Sequence, residues 1–182
     1  MKARILVWLV ALFCCHNVLF AQKEFVNASA RLSGHPRILL QKGEEKALKK
    51  VIMKDAVWKD IHQSLVDEAG EIVKLPLNER IKTGRRLLSV SRENLRRIFI
   101  LSYAYRMTGK SEFLKRAESE MLKAASFSDW NPSHFLDVGE MTMALAIGYD
   151  WLYPQLSEQT KREIENAIVE KGLKPSFDER YN

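Results

Sequence analysis

The chain has 182 residues, with 29 Lys and Arg against 23 Asp and Glu, a formal charge of +6 and only two cysteines. That length suits one ordinary domain or a piece of a larger one. Because both cysteines, Cys14 and Cys15, lie in an N-terminal segment that reads as removable, the mature chain is excluded as a disulfide scaffold, a thiol enzyme or a cysteine zinc site.

Residues 1–21 have a secretory signal layout. Lys2 and Arg4 precede an apolar run from Ile5 to Phe13, and a second apolar stretch ends in Val18, Leu19, Phe20 and Ala21. Cleavage after small Ala21 leaves Gln22 as the new N-terminus. Cys14, Cys15, His16 and Asn17 interrupt the run, which falls short of the roughly 20 residues that a spanning helix needs. The expectation is a periplasmic or extracellular protein without a stable membrane anchor. Loss of Lys2 and Arg4 takes the charge to +4, which suits an acidic polymer, whether uronate polysaccharide or nucleic acid, and equally an ordinary solvated helix surface.

An extended segment at 22–43 precedes helical periodicity that runs from Glu44 to the end, without sustained alternation of period two, so the mature chain reads as all-α. Leu48, Val51 and Ile52, then Val57, Trp58, Ile61, Leu65, Ala69, Ile72 and Val73, form amphipathic stretches with a break at Asp55 and a stop at Pro76. After a polar connector, Asn94 to Met107 predicts a helix terminated by Gly109. Ser111 is placed to cap the next, Glu112 to Ala125, which has Phe113, Leu114, Ala117 and Met121 inward. Pro132 to Tyr153 has almost no polar face and predicts a helix buried on most sides. Pro154 ends it; Ser157 opens a last amphipathic helix, which Gly172 stops. Such alternation of apolar and half-polar helices suits stacked helical hairpins.

Polar and aromatic groups concentrate between Ser128 and Met141. Asn131 is placed to cap a helix starting at Pro132, and His134, Asp137 and Glu140 follow at three-residue spacing on one stripe. Two readings fit. In the first, the carboxylates favour the helix N-terminus, His134 bonds Asp137, and Trp130 packs as a hydrophobic lid. In the second, the helix entrance is a sugar site, with Trp130 as a flat platform and Asn131, His134 and Glu140 bonding to hydroxyls or carboxylates. Tyr149, in the aromatic run Gly148-Tyr149-Asp150-Trp151-Leu152-Tyr153, has the same choice between core and cleft. His35 and His62 lack metal-ligand spacing and read as structural or surface residues; no metal site and no cofactor is expected.

The order and spacing of Asp129-Trp130-Asn131-Pro132-Ser133-His134-Phe135-Leu136-Asp137, then Glu140-Met141 and Ala146 to Tyr153, resemble the N-terminal half of heparinase II/III-type polysaccharide lyases. His35-Pro36-Arg37-Ile38-Leu39-Leu40 resembles the opening of their mature chains, so the likeness spans residues 35 to 175. The resemblance implies an (α/α) toroid of helical hairpins, incomplete at 44–182, that belongs with a further toroid part and a β-sandwich region. It also implies β-elimination of acidic polysaccharide as the activity, and no nucleic-acid partner. The family's catalytic Asn, His and Tyr are expected in later helices, so no catalytic residue is carried over; His134 is not the counterpart of the catalytic histidine. The substrate-binding candidates are Trp130, Asn131, His134, Glu140 and Tyr149. A half toroid is also expected to leave the apolar face from Met141 to Ile147 without partners.

Two other classes fit the same residues. One is a noncatalytic helical carbohydrate-binding or scaffold protein. The other is an (α/α)-barrel glycoside hydrolase using Asp137 and Glu140 as acid and base, a pair that three-residue spacing places on one wall rather than on opposite sides of a bond.

Overall fold

The computed structural model describes residues 34–181, and the signal-like segment lies outside them. Residues 35 onward form one compact unit of six α-helices, with no strand among the described residues beyond a single bridge between Thr83 and Arg86. The fold class is all-α.

Helices α1 (Glu45–Lys54) and α2 (Ala56–Lys74) are separated at Asp55, whose carboxylate accepts from the N–H groups of Val57 and Trp58 at 2.9 and 3.2 Å and so caps α2. Helix α3 (Leu88–Thr108) closes on Gly109, which takes the left-handed φ of 75° that a residue with a Cβ rarely adopts. Helix α4 (Ser111–Ala125) therefore turns straight back along α3 as a helical hairpin. Ser111 is not the cap expected from the sequence, because it already lies within the helix and Lys110 occupies the cap position.

Helix α5 (Phe135–Leu152) is the centre of the unit, packed against α3, α4 and the chain that follows α6. Its apolar face is not left open: Met141, Ala144, Leu145 and Ile147 are all buried, against the expectation of an unpartnered face. The partners are α3 and α4, which present Ile98, Leu101, Phe113, Ala117 and Met121. Of the stretch from Met141 to Ile147 only Met143 is exposed; other exposed apolar side chains are Phe135 and Leu136 at the start of α5 and Val57, Trp58 and Ile61 of α2.

Gly148 marks the closest approach of α5 to this hairpin. A Cβ there would stand 2.5 Å from Met121 Sδ and 2.6 Å from Ile98 Cγ2. The gain in helix propensity from Gly148→Ala, about 1 kcal/mol, is outweighed by overpacking of about 1–3 kcal/mol. Denaturant melts should show a less stable variant; a stabilised one would mean that the crossing has slack.

Ser157 caps α6 (Glu158–Ala167) through Oγ, which accepts from the Thr160 N–H at 3.0 Å. Gly172 does not stop the chain's helical path. A widened turn, Ile168–Leu173, carries it past Ala167, and Gly172 is buried where a Cβ would meet Thr142 Oγ1 at 2.5 Å and Trp130 at 3.2 Å. The glycine is there for close packing.

Candidate functional site

The polar site lies at the head of α5. Chain from Asp129 to His134 makes a turn before the helix, which begins three residues later than Pro132. Asn131 is the reason: its φ of 60° is left-handed, so it cannot serve as the residue leading into a helix at Pro132. Its backbone N–H donates to Asp129 Oδ1 at 2.7 Å, and its side-chain amide donates to the Arg85 carbonyl at 2.9 Å and to Asp137 Oδ2 at 2.7 Å. Asn131 is thus a buried clamp between two segments and has no amide hydrogen left for a sugar.

Asp137 is the hub. Completely buried, it accepts from the Leu87 N–H at 2.7 Å, from Asn131 and from His134 Nδ1 at 3.1 Å. Burial works against its charge, but the hydrogen bonds from Asn131, Leu87 and His134 outweigh it and hold the carboxyl below its ordinary value of 3.8. An ionised acceptor at Nδ1 fixes the His134 tautomer, leaving Nε2 as an acceptor on a side chain that is 28% exposed. Glu140, one turn further on the stripe, accepts from Ser91 Oγ at 2.6 Å and from Arg92 Nε at 3.2 Å, and stays partly accessible. These bonds also tie α5 to the first turn of α3.

Trp130 has no exposed face. It is fully buried, and its indole N–H donates to the Ala124 carbonyl at 3.1 Å. A sugar platform needs an open ring face, so the lid reading describes this residue and the platform reading does not. Tyr149 is also remote from the head of α5. It lies near the other end, where its hydroxyl donates to Glu165 and its ring meets His35 and Tyr153 edge-on, with centroids 5.8 and 5.3 Å away. Burial and then the Glu165 carboxylate push its phenol upward, so it stays protonated. The structure therefore brings together Asn131, His134 and Glu140, leaves His134 and Glu140 as the accessible pair, and separates Trp130 and Tyr149 from them. Asp137 is fully committed inside, which removes it as a partner carboxylate for glycoside hydrolysis.

The connector 79–87 also belongs to the site and is absent from the residues expected there. Arg80 donates to the Asp129 carbonyl at 3.0 Å and to its carboxylate at 2.5 Å. Thr83 and Arg86 exchange backbone hydrogen bonds of 2.9 and 3.2 Å around Gly84, whose φ is 60°. With Asn131 holding the Arg85 carbonyl and Asp137 holding the Leu87 N–H, a short cationic loop is fixed beside His134. Its signal in the sequence is the basic run Arg80, Lys82, Arg85 and Arg86 within the polar connector. A cleft of about 280 Å³ lies between this loop and the Asn131–Ser133 turn, lined also by Lys82 and Tyr181.

The opposite end of α5 holds the N-terminal segment. Asp150, buried, accepts from His35 Nδ1 at 2.5 Å and from the Arg37 and Ile38 N–H groups at 2.9 and 3.0 Å. Trp151 Nε1 donates to the Ile38 carbonyl at 2.9 Å, and His35 stacks on Tyr153 with centroids 4.1 Å apart. His35 is thus a structural residue. His62 bonds the Tyr103 hydroxyl at 3.0 Å. Among the described residues, no three His, Cys, Asp or Glu side chains gather as metal ligands, and no helix is long and apolar enough to cross a membrane. A comparison with models of known protein families finds no match to the chain, and a search of curated protein sequences finds none either.

Proposed function

We propose that this chain supplies a substrate-binding wall of a secreted polysaccharide lyase of the heparinase II/III type, within an (α/α) toroid, acting on uronate-containing polymer by β-elimination. The observation that carries the reading is the head of α5, where an accessible imidazole with a fixed acceptor nitrogen shares an edge with Glu140 and a rigid cationic loop. Sugar hydroxyls need acceptors and donors together, and a uronate carboxylate needs nearby positive charge. Support also comes from the two stretches of family resemblance at the chain's opening and at 148–153: Asp150 and Trp151 bind residues 35–38 directly, so these stretches form one structural pair.

β-Elimination requires neutralisation of the carboxylate, a base for the proton on C5 and an acid for the leaving oxygen. The residues at the head of α5 are suited to binding and orientation. His134 accepts a hydrogen bond from a sugar hydroxyl through Nε2, Glu140 accepts another, and the loop offsets the polymer's charge.

The test is binding and product analysis with heparan sulfate, alginate and chondroitin oligosaccharides. Measurable affinity is expected, weakened about tenfold by His134→Ala, the loss of one hydrogen bond at a charge-assisted site. Any product should carry the ultraviolet-absorbing unsaturated uronate. Saturated reducing ends would assign hydrolysis instead, and absence of affinity for all three polymers would overturn the reading.

A further inference from the structure

The arginines of this chain are, for the most part, spent. Arg80, Arg92, Arg97, Arg106 and Arg116 each hold a carboxylate. Arg85 and Arg86 hold none among the described residues, and neither does Lys82, although all three are exposed within five residues of one another. Four acidic groups of the neighbouring segments are already engaged. Glu79 pairs with Lys123 at 2.8 Å, Asp129 with Arg80 at 2.5 Å and Glu140 with Arg92 at 3.2 Å, while Asp137 is enclosed. Three positive charges therefore stand on one loop tip without a carboxylate partner among the described residues.

The tip is also rigid, for reasons that do not involve the three charged heads. Its backbone is closed by the Thr83–Arg86 pair, and the Arg85 carbonyl and Leu87 N–H are held by Asn131 and Asp137 from the α5 side. Fixing the backbone lowers the ordering cost of binding and leaves the side chains to meet a ligand. Guanidinium groups match the planar or tetrahedral oxygens of carboxylate and sulfate with paired N–H donors.

We infer that Lys82, Arg85 and Arg86 form an oxyanion-reading loop that takes the carboxylate or sulfate groups of an acidic polysaccharide lying across the head of α5. The inference rests on the polysaccharide reading above and assigns the loop the task of recognising charge, while His134 and Glu140 face hydroxyls. The adjoining cleft, lined by Lys82, Asn131, Ser133 and Tyr181, gives a sugar ring a place beside the loop.

The experiment measures affinity of the full chain and of the K82Q/R85Q/R86Q variant for heparin, alginate, neutral dextran and single-stranded DNA. The three substitutions leave every backbone bond of the loop in place, and an unchanged thermal melt verifies that. Heparin or alginate affinity should fall at least tenfold in the variant. In the parent it should weaken as salt rises from about 0.1 M to 1 M, where the screening length shrinks from about 10 to 3 Å. Loss on heparin alone assigns sulfate, and loss on both polymers assigns the shared oxyanion. Parent and variant agreeing within twofold on both polymers overturns the inference, as does DNA binding as tight as heparin and lost in the same variant. Loop-dependent binding accompanied by saturated reducing ends would remove the lyase reading and leave the loop's role standing.

Discussion

Glu120→Ala is expected to cost about 3 kcal/mol of stability, because it strips the shared anion from a buried cluster of arginines. Glu120 of α4 is completely buried, and its Oε1 accepts from Arg97 Nη1 at 3.1 Å and from Arg116 Nη2 at 2.7 Å. Both guanidinium groups also donate to backbone carbonyls at the end of α2: Arg97 to Pro76, just past the helix, at 2.7 Å, and Arg116 to Val73, in its last turn, at 2.9 Å. The cluster thus closes the C-terminus of α2 and pins it to the α3–α4 hairpin. Alanine would leave both cations without their shared anion, and Arg116 with carbonyl partners only. Arg97 keeps Glu93 at 2.6 Å, which places the cost toward the lower end of the range for a broken buried pair.

A melting temperature lower by roughly 10 °C follows for a chain of this size. Glu120→Gln, which keeps an acceptor but no charge, should fall between parent and alanine. A Glu120→Ala variant within 1 kcal/mol of the parent would show that the arginines reach water when released.

Much of this architecture could be read from residue pattern, because helices declare themselves through period and punctuation. Asp55, Gly109, Pro154 and Ser157 each act locally, by capping or by fixing φ, so their effect is written in a few neighbouring residues. The start of α3 was not legible in that way. Leu88 to Glu93 carries Ser89, Arg92 and Glu93, which read as connector, yet Ser91 and Asn94 are buried and the turn is fixed by Asp137 and Glu140 from about fifty residues away. Long-range polar bonds leave no period.

The site was legible in part for the same reason. The stripe His134, Asp137, Glu140 follows from helix geometry alone, and the His134–Asp137 bond with it. What spacing does not encode is which member is enclosed. Asp137 disappears beneath Asn131 and Leu87, and Trp130 turns inward because Gly172, forty-two positions later, gives its ring a surface without a Cβ. The left-handed Asn131 likewise depends on Arg85 and Asp137 to hold it, so its residue type suggested a cap where tertiary partners made a clamp.

Asp137→Ala is the second substitution expected to act strongly, at about 3 kcal/mol, since it leaves the Leu87 N–H and one of the two Asn131 amide hydrogens without an acceptor in a closed environment. It should also free His134 to rotate, so loss of oligosaccharide affinity comparable to that of His134→Ala is expected alongside the loss of stability. Asp137→Asn separates the two effects. Its oxygen can still accept from Leu87 and Asn131, while its amide must donate toward His134, which reverses the imidazole tautomer and places a hydrogen on Nε2. The asparagine variant should therefore keep most of its stability at neutral pH and lose affinity for hydroxyls, a combination that a purely structural role does not produce.

The pH dependence has a definite sign. Because the folded carboxyl of Asp137 lies below its ordinary value of 3.8, the unfolded chain binds the proton more readily. The stabilisation is thus fully present above about pH 4 and fades as pH falls through the folded value. Urea denaturation at pH 7 and pH 3 should show the gap between parent and Asp137→Asn narrowing in acid. A gap that stays constant between those two values would mean that the ionised carboxylate is not what holds the head of α5 to α3, and the ordered imidazole at the proposed sugar site would need another cause.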